Sequence, residues 1–120
     1  MREIDIKNLT RFITRTGMYI GEESKHAIVS FIHGYEMGTA EQCEFTKILD
    51  KRLEETYQIP QIATGWPGKI TLLTERNKKS WILNFKTLAL EIVEPMVNEN
   101  YRAEYDQLTN SHYKRIGKNE

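Results

Sequence analysis

The chain has 120 residues, 39% of them hydrophobic and 28% charged, and its 17 basic and 17 acidic side chains cancel. That length suits one domain around one apolar core, since domains cluster at about 100–150 residues. The balanced charge excludes the uniformly positive field by which a protein gathers nucleic acid or an anionic membrane surface non-specifically.

Three further features narrow the class. No apolar run approaches the roughly 18 residues that span a bilayer. The opening Met1-Arg2-Glu3-Ile4-Asp5 lacks the basic and apolar regions of a secretion signal. Cys43 is the single cysteine, with no internal disulfide partner, so a cytoplasmic protein is expected.

In chain order, Asn8 is placed to cap a first short helix with Leu9, Phe12 and Ile13 on one face, and Gly17 to end it in the left-handed conformation. Gly21 permits a second turn. Glu22, Glu23 and Ser24 then supply the acids and the hydroxyl that favour a helix N-terminus. The stripe Ala27, Ile28, Phe31, Ile32 and Tyr35 predicts one buried face of a second helix, weakened at its end by Gly34 and Gly38. A third helix is predicted over 41–57, with Phe45, Ile48, Leu49 and Leu53 inward and Glu41, Glu44, Lys47, Lys51, Glu54 and Glu55 outward.

Pro60 and the run Ala63-Thr64-Gly65-Trp66-Pro67-Gly68 predict a loop carrying an aromatic anchor. Ile70 to Leu73 is too short for periodicity to separate strand from helix; a helical turn with Pro67 as its first residue is the favoured reading. From Asn77 or Ser80 to about Val93 a fourth helix is predicted, with Trp81, Phe85, Leu88, Ala89 and Ile92 on one face, stopped by Pro95. Val97, Tyr101, Tyr105 and Leu108 predict a last helix. The expected architecture is all-α: a compact single-domain bundle of about five helices over 1–109 with a Gly/Pro/Trp loop, and a polar tail over 110–120.

No reactive centre is legible. Zinc needs about four ligands in tetrahedral geometry, and Cys43, His26, His33 and His112 show no paired spacing, so no metal or cofactor is expected. His26 and His33 share a helical face but stand two turns, roughly 10 Å, apart, too far to share one phosphate easily. A metal-independent RNase would have to use His33 with Glu36.

Charge is unevenly distributed: residues 22–55 hold eight acids against four bases, 69–86 five bases against one acid, and 91–106 five acids against one base. The plain reading is solvated helix faces. The functional alternatives are an acidic face for a cationic partner or a basic segment, Lys69, Arg76, Lys78 and Lys79 beside Trp66 and Trp81, for nucleic acid. Arg15 reads either as a phosphate ligand or as a partner for the carbonyls that end the first helix.

The string Arg15-Thr16-Gly17-Met18-Tyr19-Ile20-Gly21 is similar to one in the ATPase subunits of type II topoisomerases. Thr16 stands where those carry proline, and neither a glycine-rich lid nor an acidic nucleotide pocket follows, so ATP hydrolysis is rejected. The layout resembles more closely a group of small bacterial proteins with Arg-x-Gly-Met-Tyr-x-Gly, then Phe-x-x-Gly-Tyr, a tryptophan loop and a final aromatic-rich helix. Here those are Arg15 to Gly21, Phe31 to Gly34-Tyr35, Gly65-Trp66 and Trp81 to Phe85, across roughly residues 9–93. These resemble immunity proteins of contact-dependent growth inhibition and other polymorphic toxin systems.

The resemblance implies a non-enzymatic protein whose partner is a cognate toxin domain, expected to be a nuclease, with neither membrane nor direct nucleic-acid binding. The signature residues Arg15, Gly17, Tyr19, Gly21, Gly34, Tyr35 and Trp66 read as structural, the glycines for turns and the tyrosines for packing with a polar tip. The expected toxin-binding carboxylates are Glu22, Glu23, Glu36, Glu41, Glu44, Glu54 and Glu55. A small nucleic-acid-associated or regulatory helical module is the alternative, and the RNase a third.

Overall fold

The apolar stripes of the sequence become the contacts between helices. The computed structural model describes residues 1–117. Among these are α1 (Glu3–Thr14), α2 (Thr16–Ile20), α3 (Lys25–Gly38), α4 (Phe45–Glu55), α5 (Gly65–Asn77), α6 (Trp81–Val93), a 3₁₀ turn (Glu94–Met96) and α7 (Glu99–Gly117), with no strand. The chain is all-α, with seven helices where about five were expected. No helix among the described residues is long and apolar enough to cross a membrane.

Each departure has a local cause. The first helix starts at Glu3 because the Asp5 carboxylate accepts from the Arg2 N–H at 3.1 Å, the reciprocal half of a capping box. Asn8 therefore lies inside α1, where its amide donates to the Tyr35 hydroxyl at 3.1 Å. Gly17 does not end α1. The chain breaks at Arg15, and the Thr16 hydroxyl donates to the Phe12 and Ile13 carbonyls at 2.8 and 3.1 Å, leaving Gly17 within α2. The left-handed glycine is Gly21, at φ 72°.

The helix expected from residue 41 begins only at Phe45, since Ala40, Glu41 and Glu44 take φ of 53°, 67° and 56° and form a turn. The stretch 65–68 is helix rather than loop. Pro67 is the third residue of α5, among positions whose N–H has no intrahelical partner, so its missing donor costs nothing. Ile70 to Leu73 is accordingly helical. The segment from Asn110 continues α7 as far as Gly117, because Thr109 and His112 turn inward and are buried. Residues 118–120 of the expected tail lie outside the described ones.

α6 is the central element, packing against α1, α4 and α5, while α7 covers the other side of α1. Phe85, Leu88, Ala89, Leu90, Ile92 and Val93 are all buried, which a helix covered on several sides requires. Two aromatic groups tie the outlying helices down. Trp81 stacks on Phe85 at 5.7 Å, Trp66 lies 5.8 Å from Phe85, and Phe45 meets Phe85 edge-on at 6.3 Å. The Trp81 indole N–H donates to the Pro67 carbonyl at 3.0 Å. Across the bundle Phe12 stacks on Phe31 at 3.9 Å, and Tyr19 meets both rings edge-on at 5.9 Å.

Two glycines bring out opposite consequences. A Cβ on Gly68 would lie 1.8 Å from Thr64 Oγ1 and 2.7 Å from Thr64 Cβ, whereas one on Gly34 would meet nothing within 4 Å. Gly68→Ala is expected to destabilise by about 1–3 kcal/mol through overpacking. Gly34→Ala is expected to stabilise by about 0.5–1 kcal/mol, because α3 is helical there without needing glycine. Urea unfolding of the two variants checks both signs.

Candidate functional site

The turn that delays α4 builds a cleft. His33, Glu36 and Met37 come from the last turns of α3, Glu41 and Glu44 from the turn, and Thr46 and Lys47 from α4; together they line about 360 Å³. Glu44, the residue before α4, offers no capping side chain. Glu36 supplies the cap instead, accepting from the Thr46 N–H at 2.9 Å and the Thr46 hydroxyl at 2.6 Å. Both its oxygens are thus committed to fold geometry.

The carboxylates left facing solvent are Glu41 and Glu44, neither of which has a side-chain hydrogen bond or ion pair among the described residues. Lining the same cleft, on the last turn of α3, is Met37, 80% exposed. An apolar anchor beside two unpaired acids is the strongest feature of this surface. Met37 was not singled out from the sequence, although it lies off the buried stripe of α3, which is where an exposed hydrophobe is legible.

The seven candidate carboxylates do not form one surface. Glu36, Glu41 and Glu44 line the cleft. Glu22 and Glu23 lie at the other end of α3, whose 14 residues span about 21 Å, and Glu23 is paired with Lys86 at 2.5 Å. Glu55 is exposed at the far end of α4. Glu54 turns toward Lys69, whose ammonium is fully buried and held by Asp50 at 2.7 Å, Glu54 at 2.6 Å and Gln61 at 2.6 Å. Burial pulls the Lys69 ammonium down and the hydrogen bonds of Asp50 and Glu54 raise it more, so it stays charged.

That same cluster dismantles the basic segment. Lys69 is inside, Lys86 pairs with Glu23, and Arg76 donates to the Tyr57 carbonyl at 3.1 Å. Lys78 and Lys79 remain exposed, but Trp66 and Trp81 pack on each other 6.2 Å apart and offer no open stacking platform. His26 and His33 are exposed on α3. Glu36, the proposed partner of His33, is occupied by Thr46.

The signature residues divide by what they touch. Tyr35 donates to Asp5 at 2.6 Å, Asp5 is held by Arg2, and burial with the Asp5 contact pushes the Tyr35 hydroxyl up to about 12. Trp66 and Tyr19 are ring contacts. Arg15 is exposed with no side-chain partner among the described residues, at the edge of a second groove of about 390 Å³ shared with Met18 and Tyr19. Its backbone N–H, not its guanidinium, closes α1, donating to Arg11 at 3.0 Å. Cys43 is fully buried, and burial pushes its thiol up to about 11, which removes it as a nucleophile at neutral pH.

With this geometry the chain is an all-helical domain with an acidic, methionine-bearing cleft. No family model, no curated protein and no solved structure matches it.

Proposed function

We propose that this chain is an immunity protein that acts in the cytoplasm by binding a cognate toxin domain, a nuclease, and covering its substrate groove. The observation that carries the reading is the cleft at the end of α3, where Glu41 and Glu44 have no internal partner and flank an exposed Met37. Nuclease grooves hold a polyanion and are positively charged, so unpaired carboxylates on a rigid helical frame accelerate encounter and form charge-assisted bonds. A methionine supplies the adaptable apolar contact that charge alone lacks. The resemblance of Arg15 to Gly21, Phe31 to Tyr35 and Gly65-Trp66 to immunity proteins supports the same class.

The proposed contact set is therefore Glu41 and Glu44 out of the seven carboxylates, with Glu55 outside the cleft and Glu54 committed to the Lys69 ammonium. The test uses an inactivated nuclease domain encoded directly beside this chain's gene. Glu41→Lys/Glu44→Lys is expected to lower the association rate by about tenfold or more at low salt and to flatten its salt dependence. Lysine tolerates these backbone angles as glutamate does, so the fold persists. An unchanged association rate would remove this cleft from the interface.

A further inference from the structure

A second surface patch lies where the chain breaks between α1 and α2. There Arg15, Met18 and Tyr19 line a groove of about 390 Å³ against α7. Met18 is 78% exposed and Tyr19 49%. Thr16 is the one buried residue of α2, with its hydroxyl turned to the Phe12 and Ile13 carbonyls, which leaves Met18 and Tyr19 on the surface.

Arg15 sets the charge of this groove. Arg11 is held by Glu104 at 3.0 Å, so those two charges cancel, while the Arg15 guanidinium has no partner among the described residues. The cleft at the end of α3 has the opposite sign. Its charged residues are Glu36, Glu41 and Glu44 against Lys47, an acidic excess, and its Met37 is 80% exposed.

Each patch therefore joins an unpaired charge to an apolar side chain standing in water. Within one chain they do not satisfy each other, since Arg15, Glu41 and Glu44 all lack an internal ion pair. Arg, Tyr and Met are residue types enriched in protein interfaces. Between two copies no overall repulsion opposes contact, because 17 basic and 17 acidic residues cancel.

We propose that the Arg15 groove receives the acidic cleft of a second copy of this chain. The planar guanidinium forks onto the Glu41 and Glu44 carboxylates, and Met37 lies on the Met18 and Tyr19 side chains, a thioether against an aromatic ring. Two different surfaces meet, so the contact is heterologous: made reciprocally it closes a dimer, and made in one direction it extends a row of copies. The inference concerns this chain alone and does not depend on what else the cleft binds.

Sedimentation equilibrium of the full chain at low and high salt tests it. Self-association is expected with a Kd on the order of 0.1 mM at about 50 mM NaCl, weakened about fivefold or more at about 500 mM, since so small a contact lies at the transient end of interfaces. Arg15→Glu and Glu41→Lys/Glu44→Lys are each expected to weaken it by about tenfold or more. An equimolar mixture of those two proteins is expected to regain it, because each groove then meets a cleft of opposite sign. Met18→Ser is expected to weaken it by about threefold at either salt concentration.

A parent chain that stays monomeric up to about 1 mM would overturn the proposal. So would association that ignores salt, or a mixture as monomeric as its two components. Loss in Arg15→Glu without loss in Glu41→Lys/Glu44→Lys would overturn it too, because Arg15 would then face a different acidic surface. Arg15→Gln, which removes the charge without reversing it, is expected to weaken association by about threefold and decides the matter if the reversed variant fails to fold.

Discussion

Asp50→Asn combined with Glu54→Gln is expected to cost about 3–5 kcal/mol of stability, a large share of what a domain of this size possesses. The Lys69 ammonium is fully buried, and its three acceptors at 2.7, 2.6 and 2.6 Å account for all three of its donors. Removing both charges leaves a buried cation facing neutral amides. The two carboxylate side chains are 35% exposed, which places the loss toward the lower end of that range, because water reaches the site from one side.

Adding Lys69→Met to that double variant is expected to restore most of the stability, since an apolar side chain of similar length has no charge to compensate. Urea unfolding of the three proteins checks this, and a double variant as stable as the parent would contradict it. The result also bears on the binding surface. A charge reversal at Glu54 would weaken partner binding by damaging the fold, so only Glu41 and Glu44 variants read the interface cleanly.

Phe85→Ala is the second large effect, expected at about 3–5 kcal/mol and a fall in Tm of about 10–20 °C. Phe85 is 1% exposed and meets Trp66 of α5, Trp81 of α6 and Phe45 of α4. Truncation opens a cavity at the junction of three helices that close-packed rings cannot collapse into. Phe85→Leu, which keeps most of the volume, is expected to lose less than half as much. Thermal unfolding followed by tryptophan fluorescence reports the position directly, because both tryptophans border it.

What was legible in the sequence was mostly periodic. Phe45, Leu49 and Leu53, and Phe85, Leu88, Ala89 and Ile92, recur at helical spacing and are all buried. Ser24, read as a capping hydroxyl, caps α3 by accepting from the Ala27 N–H at 3.1 Å, while of the two possible starts of the fourth helix it is Ser80 that caps α6, accepting from the Leu83 N–H at 3.0 Å. The errors fall where local rules have two outcomes. Gly65-Trp66-Pro67-Gly68 carries loop composition, yet proline and glycine are both tolerated in the first turn of a helix. Gly17 resembles a helix terminator, but the Thr16 hydroxyl satisfies the α1 carbonyls first.

The candidate surface was legible only in part. Glu41 and Glu44 were among the predicted acids, and their composition marked them. Glu54 was indistinguishable from them because its partner Lys69 is fifteen residues away, in a helix not anticipated at that length. Glu36 was likewise counted as free, although it caps α4 across the turn. Such assignments depend on which residues the fold brings together, and spacing along the chain carries no record of that.

The central claim is that this chain works through a presented surface rather than through chemistry of its own. Isothermal titration of the full chain with the inactivated nuclease domain encoded beside its gene tests this most directly, with the active nuclease assayed in parallel. The account predicts a stoichiometric complex, weakened by Glu41→Lys/Glu44→Lys, and loss of nuclease activity in proportion to the complex formed. No heat of binding, together with RNA cleavage by this chain alone that disappears in His33→Ala, would contradict it.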